Sequence, residues 1–329
     1  MMMTIPTVSD RNRSGFALMS ALLGGGFWGA MLVASIAGRE GLGVIELLLL
    51  LALLVVVPLG FDLAAAPDAE GNNSPLYRIA RFLQPAGACC AAISFLLPTG
   101  LWSALLACGW GSVAGLMALF GVFRLYRRRN FSIEELCVDA ALLYIPVGSA
   151  WLIAARAGIP VAGFGGVMAM LTAVHFHYAG FIAPIITGMT GRALRTGPPR
   201  AWKVYRLAAP GVIAGPPLVA LGITFSPAVE VAAAAVLALA LAVHAGLLLF
   251  SVLPRLAAGP ARWLLGTAAC ASVGAMILAV LYAIGVFSEI SIIDIPRMAL
   301  LHGCLNGLFA LGGLSGWNIV RPAASPRNL

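Results

Sequence analysis

Long apolar runs fill most of the chain, and short clusters of charged and turn-forming residues separate them. A helix needs roughly 20 apolar residues to cross a bilayer core about 30 Å thick. Cutting the chain at its charges and turn residues gives about ten segments near that length. They are approximately 14–37, 42–62, 79–97, 99–123, 132–155, 161–190, 207–225, 227–253, 262–287 and 295–320, the third starting among polar residues. The pattern predicts an all-α, polytopic transmembrane helix bundle.

The Lys and Arg residues test this segmentation independently, because short cytoplasmic loops retain positive charge. With the N-terminus inside, all but three of the 20 Lys and Arg residues fall on the cytoplasmic side. The exceptions are Arg39, Arg156 and Arg297. Removing one span would invert every later loop, so the asymmetry supports about ten spans with both termini cytoplasmic. We predict a single transmembrane domain over residues 1–329, with short cytoplasmic tails 1–13 and 321–329.

Composition places the chain in a bilayer rather than in water. Of its 329 residues, 61% are hydrophobic and 10% are charged, whereas soluble domains carry about 25% charged residues. This excludes a water-soluble enzyme, and the polar stretches Asp62–Arg81 and Arg192–Arg206 are too short to form a soluble domain. The net charge of +8 does not indicate a nucleic-acid partner, because so apolar a chain cannot build a basic groove. We expect the Arg124–Arg129 cluster to meet anionic lipid head groups at the cytoplasmic face.

The cysteines and the first apolar stretch are interpreted as parts of the bundle. All six cysteines lie in apolar stretches without a CxxC pair, so we expect them to be small core residues. The first apolar stretch, from Ser14, is as long as a membrane span and no clear cleavage site follows it, which favours a helix over a signal peptide.

Ionisable residues inside the apolar segments are the candidates for function, because each costs at least about 2.5–3.5 kcal/mol at the bilayer centre. The central ones are His175 and His177 in the sixth segment, Asp139 in the fifth, and His302 with Asn306 in the tenth. Residues two apart on a helix point to opposite sides, so one metal ion cannot easily bind both His175 and His177. We predict no metal site and no cofactor. A bound metal or haem, and two buried histidines with ordinary hydrogen bonds, remain alternatives.

A polar pocket inside the membrane can be assembled from these residues. Thr172 and Tyr178 lie three residues either side of His175 and share its helix face. His302 and Asn306, four residues apart, share a face of the tenth segment in the same way. If the Asp139 carboxylate joins these two faces and orients or charges a histidine, they would form an acid–base site. The predicted catalytic residues are His175, His177, Asp139 and His302, and the predicted substrate-binding residues are Tyr178, Asn306, Thr172, Tyr144 and Trp151. The alternative is a set of interhelical hydrogen bonds worth about 0.6–2 kcal/mol each.

Three further ionisable residues are expected to be structural. His244 lies alone among alanines in the eighth segment, and we interpret it as a packed core residue. Glu134 and Glu135 begin the fifth segment, where we expect water to solvate them at the inner face.

Glycine and proline positions predict helix interruptions. Gly24–Gly26 lies at the middle of the first segment, while Gly180 and Pro184 weaken the sixth. Pro58 in the second segment has a counterpart in Pro216–Pro217 of the seventh. Interruptions at corresponding places in two halves are typical of inverted-repeat transporters, and ten spans with an inside N-terminus fit a five-plus-five repeat.

Two blocks of sequence resemble a known family. They are residues 175–184, His-Phe-His-Tyr-Ala-Gly-Phe-Ile-Ala-Pro, and residues 298–307, Met-Ala-Leu-Leu-His-Gly-Cys-Leu-Asn-Gly, followed by Gly313-Leu-Ser-Gly-Trp317. Both are similar to the strongest blocks of the YndJ-like family of bacterial integral membrane proteins. The resemblance implies a multi-pass protein of the bacterial inner membrane, in a family often labelled as transporters and including longer members. It also implies that His175, His177, His302 and Asn306 belong to one signature.

Three functions are consistent with these residues. The first is an integral membrane enzyme that rearranges, cyclises or isomerises a lipophilic, isoprenoid- or polyketide-like substrate, with Asp139 and a histidine transferring protons. The second is a proton-coupled secondary transporter of a small molecule, with the glycine run of the first segment and the break in the sixth forming its site. The third is a haem- or copper-binding membrane protein. We favour the enzyme, which needs no cofactor and few positioned groups.

Overall fold

The structure, a computed structural model, consists of helices joined by short loops. It describes residues 8–38, 41–65, 74–129 and 131–324. Within these ranges the structure contains one isolated β-bridge, between Val161 and Phe164. The helices are α1 Val8–Ile36, α2 Val44–Ala64, α3 Pro75–Ser94, α4 Leu101–Arg128, α5 Ile133–Ala157, α6 Gly166–Leu194, α7 Pro199–Phe225, α8 Pro227–Arg255, α9 Pro260–Phe287 and α10 Ile295–Val320. The predicted all-α, polytopic bundle is confirmed.

Nine helices in the described part of the chain are long and apolar enough to cross a membrane. The remaining one, α3, corresponds to the third predicted segment, and polar residues such as Arg78, Arg81 and Gln84 lower its hydropathy. The predicted spans are therefore confirmed for nine segments. Membrane crossing by α3 and the cytoplasmic position of both termini stay predictions.

Proline and short polar side chains fix where several helices begin. Proline occupies the first turn of α3, α7, α8, α9 and α10, where its missing N–H costs no hydrogen bond. Ser226 caps α8 by accepting a hydrogen bond from Val229 N, and Asp294 caps α10 by accepting one from Arg297 N at 2.8 Å. Helix α7 begins at Pro199 rather than at the predicted residue 207, because its first two turns are basic and resemble a loop.

Three helices contain a π-helical segment that the sequence can explain. These segments are Ala52–Val56 in α2, Phe176–Ile182 in α6 and Leu248–Val252 in α8. Each ends two residues before a proline, and these prolines are Pro58, Pro184 and Pro254. Because proline has no N–H, it cannot bond the carbonyl four residues earlier, and the preceding turn can widen. The interruptions predicted in the second and sixth segments are confirmed.

The other predicted interruptions are not observed. Helix α1 is continuous through Gly24–Gly26, and α7 is continuous through Pro216–Pro217. The freed backbone groups of a membrane helix can be satisfied locally, so proline does not always break it. The interruptions therefore do not follow a five-plus-five repeat.

Contacts divide the described residues into two compact units. The first holds the described residues up to 129 together with Asp139–Ile182, and the second holds Phe131–Val138 and residues 183–324. In the first unit α1 approaches α2 so closely that a Cβ on Gly24 would overlap the Leu54 carbonyl. In the second unit, Gly215 of α7 packs on α8 and Gly312 of α10 packs on α9. Small residues at such contacts are the usual way in which membrane helices approach.

The cysteines differ from the prediction of a core position. Cys137 is buried and Cys90 is partly exposed, whereas Cys89, Cys108, Cys270 and Cys304 are exposed. The prediction was wrong for these four because a membrane protein keeps an apolar outer surface, so an apolar stretch does not identify the buried side of a helix.

Candidate functional site

His177 is fully buried in the first unit, and both of its ring nitrogens are hydrogen-bonded. The indole N–H of Trp110 donates to Nε2 at 3.0 Å, and Nδ1 donates to the Ala173 carbonyl at 2.7 Å. An indole can only donate and a carbonyl can only accept, so the bonding network assigns a neutral imidazole with its proton on Nδ1. Gly148 makes room for the ring, because a Cβ there would lie 2.7 Å from Nδ1. The geometry favours the alternative of a buried histidine with ordinary hydrogen bonds.

His175 and its predicted neighbours on α6 lie in different surroundings. His175 is partly exposed, and its ring lies edge-to-face with Phe176 at 5.4 Å. Thr172 is also partly exposed, whereas Tyr178 is buried and donates to the Leu48 carbonyl of α2 at 3.0 Å. Among the residues that the structure describes, no group of three or more His, Cys, Asp or Glu could hold a metal ion. The absence of a cofactor stays a prediction.

The two aromatic residues predicted to wall the site are on α5. Tyr144 is partly exposed and packs edge-to-face against Phe176, with ring centroids 6.2 Å apart. Because Phe176 also contacts His175, the three rings form one aromatic cluster in the first unit. Trp151, also partly exposed, lies about two turns further along α5.

The Asp139 carboxylate is bound by arginines of α4 rather than by a histidine. Arg128 Nη2 lies 2.6 Å from Oδ2, and Arg124 binds Oδ1. Asp139 precedes Gly148, where His177 packs, by nine residues, which is about 13 Å along a helix. The expected contact between Asp139 and a histidine is not found among the described residues, because two guanidinium groups already hold this carboxylate.

His302 and Asn306 belong to the second unit. His302 Nδ1 donates to the Ala275 carbonyl of α9 at 2.8 Å, and Asn306 Nδ2 donates to the His302 carbonyl at 2.9 Å. Both side chains are partly exposed. The predicted residues therefore do not form one pocket within either unit, because those of α10 lie in the second unit and the others lie in the first.

A pocket in the first unit escaped the sequence analysis. Its cavity volume is about 10 Å³, roughly the space that one water molecule needs. It is lined by Phe16 and Ala17 of α1, Pro58, Phe61 and Asp62 of α2, and Tyr77, Arg81 and Gln84 of α3. The three α3 residues recur at spacings of four and three, which places them on one helix face. That spacing is the signal that could have identified the pocket.

The polar groups of this pocket are bonded to one another and to α2. The Tyr77 hydroxyl donates to Asp62 Oδ1 at 3.0 Å, and both residues are buried. Gln84 Nε2 donates at 2.8 Å to the Leu53 carbonyl, which lies in the π-helical segment of α2. The Arg81 guanidinium carbon lies 4.6 Å from the centroid of the ring of Phe16. The pocket thus combines a carboxylate with aromatic faces, a combination that favours a cation, and the cation at this position is the Arg81 guanidinium.

Glu134 and Glu135 form buried ion pairs in the second unit. They are 0% and 1% exposed. Arg192 binds Glu135 through two hydrogen bonds of 2.8 Å, and Arg195 Nη1 lies 2.6 Å from Glu134 Oε1. Gly191 permits this approach of α6 to α5, because a Cβ there would lie 2.5 Å from Glu134 Cβ. The expected solvation was wrong, since no local sequence signal links these glutamates to arginines that lie 57 and 61 positions away.

The arginines expected to meet lipid divide into two groups. Arg124 and Arg128 have side chains only 9% and 7% exposed and bind Asp139. Arg127 and Arg129 are exposed, and Arg127 lies over the ring of Phe123 at 5.5 Å. Contact of these last two with anionic lipid stays a prediction.

Comparisons with known proteins point to one family. The family model described as YndJ-like protein matches residues 47–310. The uncharacterized membrane protein YndJ of Bacillus subtilis (strain 168) is 29% identical over 291 residues, which cover 86% of this chain and 50% of that relative. The chain thus spans about half the length of the curated relative that it matches. No solved structure matches the chain. Together with the apolar helices, these matches identify a multi-pass membrane protein of the bacterial cell membrane.

Proposed function

We propose that this chain, which belongs to the family of YndJ-like proteins, is a proton-coupled secondary transporter of small organic cations. The observation that carries the proposal is the pocket of the first unit, where the Asp62 carboxylate lies among aromatic side chains. An ionisable group inside a membrane costs at least about 2.5–3.5 kcal/mol, and such groups commonly serve a substrate or ion pathway.

The contacts of Arg81 support a cation as the substrate. Its guanidinium, a flat and delocalised cation, lies 4.6 Å from the Phe16 ring centroid and 6.0 Å from that of Tyr77. Aromatic faces attract cations through their ring quadrupole. A flat organic cation would take the place of this guanidinium over Phe16 and pair with the Asp62 carboxylate.

The surroundings of the pocket favour transport over chemistry. Gln84 bonds the π-helical segment of α2, and this widened turn gives the helix a point at which to bend between two arrangements. Two of the four groups predicted for acid–base catalysis are engaged elsewhere, since Asp139 is bound by arginines and His177 has both nitrogens bonded. A binding pocket beside an interrupted helix is the arrangement that secondary transporters use.

Uptake of radiolabelled guanidinium into sealed vesicles that contain the purified protein tests the proposal. We expect an imposed pH gradient to drive accumulation, and a protonophore to abolish it. Asp62→Asn keeps the side-chain shape but removes the charge, so accumulation should fall to that of empty vesicles. Glu289→Gln, which changes an exposed loop carboxyl, should leave it unchanged. The proposal fails if the unaltered protein does not accumulate guanidinium, or if monodisperse Asp62→Asn protein accumulates it fully.

An intramembrane enzyme is the second candidate, favoured by the partly exposed ring of His175. This ring adjoins the aromatic cluster with Phe176 and Tyr144, which would suit an isoprenoid- or polyketide-like substrate in a rearrangement, cyclisation or isomerisation. The protein should then convert a component of a bacterial lipid extract, and His175→Ala should lose the conversion. Unchanged lipids, or full conversion by the variant, would count against this function.

A further inference from the structure

On α6, α8 and α10, three buried polar atoms of the second unit have no hydrogen-bond partner among the described residues. They are His244 Nδ1 on α8, Thr187 Oγ1 on α6 and Trp317 Nε1 on α10. The three residues are 1%, 1% and 0% exposed. A buried polar atom without a partner costs about 1–3 kcal/mol. Native proteins commonly satisfy such atoms with ordered water.

These atoms belong to helices that meet at one turn of α6. Thr190 Oγ1 lies 2.8 Å from His244 Nε2, and Thr187 precedes Thr190 by three residues on the same face of α6. Gly313 of α10 packs against the same turn, because a Cβ there would lie 2.5 Å from Ile186 Cδ1. The unpartnered tryptophan of α10 follows Gly313 by about one turn.

The hydrogen bonds of Thr190 define which nitrogen of His244 carries a proton. The Thr190 hydroxyl donates to the Ile186 carbonyl at 2.9 Å. When the single hydroxyl proton is directed to this carbonyl, Thr190 Oγ1 accepts a hydrogen bond from Nε2–H, and Nδ1 then keeps an unshared electron pair. The site presents one acceptor at His244, one donor at Trp317 and one hydroxyl that can do either. Water, a neutral molecule that both donates and accepts, complements this set.

We propose that α6, α8 and α10 enclose a hydrated site in the second unit and that His244 Nδ1 is its proton acceptor. A proton delivered through water adds to the electron pair of Nδ1 and gives an imidazolium that keeps its Nε2–H bond to Thr190. Release returns the proton from Nδ1 to water and restores the neutral ring. The site does not depend on the pocket of the first unit or on the transport of a cation.

The buried charged groups around this site carry no net positive charge, so they do not oppose protonation of His244. The charged or titratable side chains on the second-unit parts of α6, α7 and α9 are Arg192, Arg200, Lys203, Tyr205, Arg206, Arg262, Cys270 and Tyr282, and α10 adds Arg297, His302 and Cys304. Helix α8 itself adds Glu230 and Arg255. The buried guanidinium among them, Arg192, is neutralised by Glu135, and Arg195 pairs with Glu134. Tyr205 is buried and adjoins the thiol of Cys137.

Hydrogen–deuterium exchange at the imidazole C2 position, read by mass spectrometry, tests hydration of the site in the full chain. This exchange needs water at the ring, and His177 serves as an internal control because its nitrogens are bonded to protein. We expect C2 of His244 to exchange several-fold faster than C2 of His177. Thr187→Val, which removes one polar group of the site, should slow His244 and leave His177 unchanged. Equal rates at the two histidines would overturn the hydrated site.

Nitrogen NMR of protein labelled with ¹⁵N-histidine tests the proton acceptor. At neutral pH we expect the Nε2–H form for His244 and the Nδ1–H form for His177, with His244→Asn assigning the signals. Acidification should convert His244 to the imidazolium before it changes His177. A His244 spectrum that stays neutral until the protein unfolds, or that shows Nδ1–H at neutral pH, would refute the assignment. Both measurements use no substrate, so they stand whether or not guanidinium is transported.

Discussion

Each unit contains one buried histidine, and the two histidines are bonded differently. In the first unit His177 has a partner at each ring nitrogen and carries its proton on Nδ1. In the second unit His244 carries its proton on Nε2 and leaves Nδ1 without a partner among the described residues. Equal burial therefore does not mean an equal role. A saturated imidazole holds helices together, whereas one with an unshared electron pair can accept a proton or a ligand.

The units also differ in how they hold a buried carboxylate. In the first unit the two oxygens of Asp139 are bound by two different arginines, Arg124 and Arg128. In the second unit Arg192 binds both oxygens of Glu135, through Nε and Nη2 of one guanidinium. Loss of one arginine should therefore have unequal consequences in the two units.

The largest effect is expected for Arg192→Ala. It removes both guanidinium bonds from a carboxylate that is buried, and such losses cost about 3–5 kcal/mol. Arg124→Ala is the matched variant of the first unit and should cost less, because Arg128 still binds Asp139. Titration with sodium dodecyl sulfate, followed by circular dichroism, measures the free energy of unfolding of each variant.

A double variant controls for the loss of packing. Glu135→Gln combined with Arg192→Met removes both charges while it keeps most of the volume, so much of the lost stability should return. Equal losses for Arg192→Ala and Arg124→Ala would show that the two carboxylates are held alike.

A smaller effect is expected for Trp110→Phe. The variant keeps an aromatic ring beside His177 but removes the N–H that bonds Nε2, so we expect a loss of about 1–2 kcal/mol in the free energy of unfolding. It would also make His177 resemble His244, with one nitrogen unpartnered, and its C2 exchange should rise. Unchanged stability would mean that this bond does not hold α4 to α6.

The smallest effect is expected for Thr187→Val. Its hydroxyl has no protein partner among the described residues, so the isosteric change should alter the free energy of unfolding by less than about 0.5 kcal/mol. Thr190→Val should cost more, about 0.6–1.7 kcal/mol, because that hydroxyl bonds both His244 and the Ile186 carbonyl. If Thr187→Val is the more damaging variant, its hydroxyl has a stronger partner than water.

Local signals in the sequence predicted more of the fold than of the site. Apolar runs identified nine spans, and Pro58 and Pro184 indicated two of the three interruptions, because a missing N–H acts within one turn. The same reasoning applied to Pro216–Pro217 gave an interruption that α7 does not have. The effect of a proline therefore depends on whether neighbouring helices satisfy the freed carbonyl.

The candidate residues show the limit of spacing arguments. The two-residue separation of His175 and His177 correctly placed them in different surroundings, since helix periodicity is local. The proposed partnership of Asp139 with a histidine could not be tested in this way, because it depended on which side of α5 meets α4. In the third segment the spacing of Tyr77, Arg81 and Gln84 places these polar residues on one helix face, but spacing alone does not show which helices that face meets.

The sequence by itself determined a bundle of apolar helices, because the cost of placing polar backbone and charge in hydrocarbon leaves few other structures. The tertiary structure alone decided which polar groups became partners. Trp110 and His177 are 67 positions apart, and Arg192 and Glu135 are 57 apart. Such bonds depend on the rotation of each helix about its axis, which close packing of small residues fixes and which apolar periodicity in a membrane does not encode.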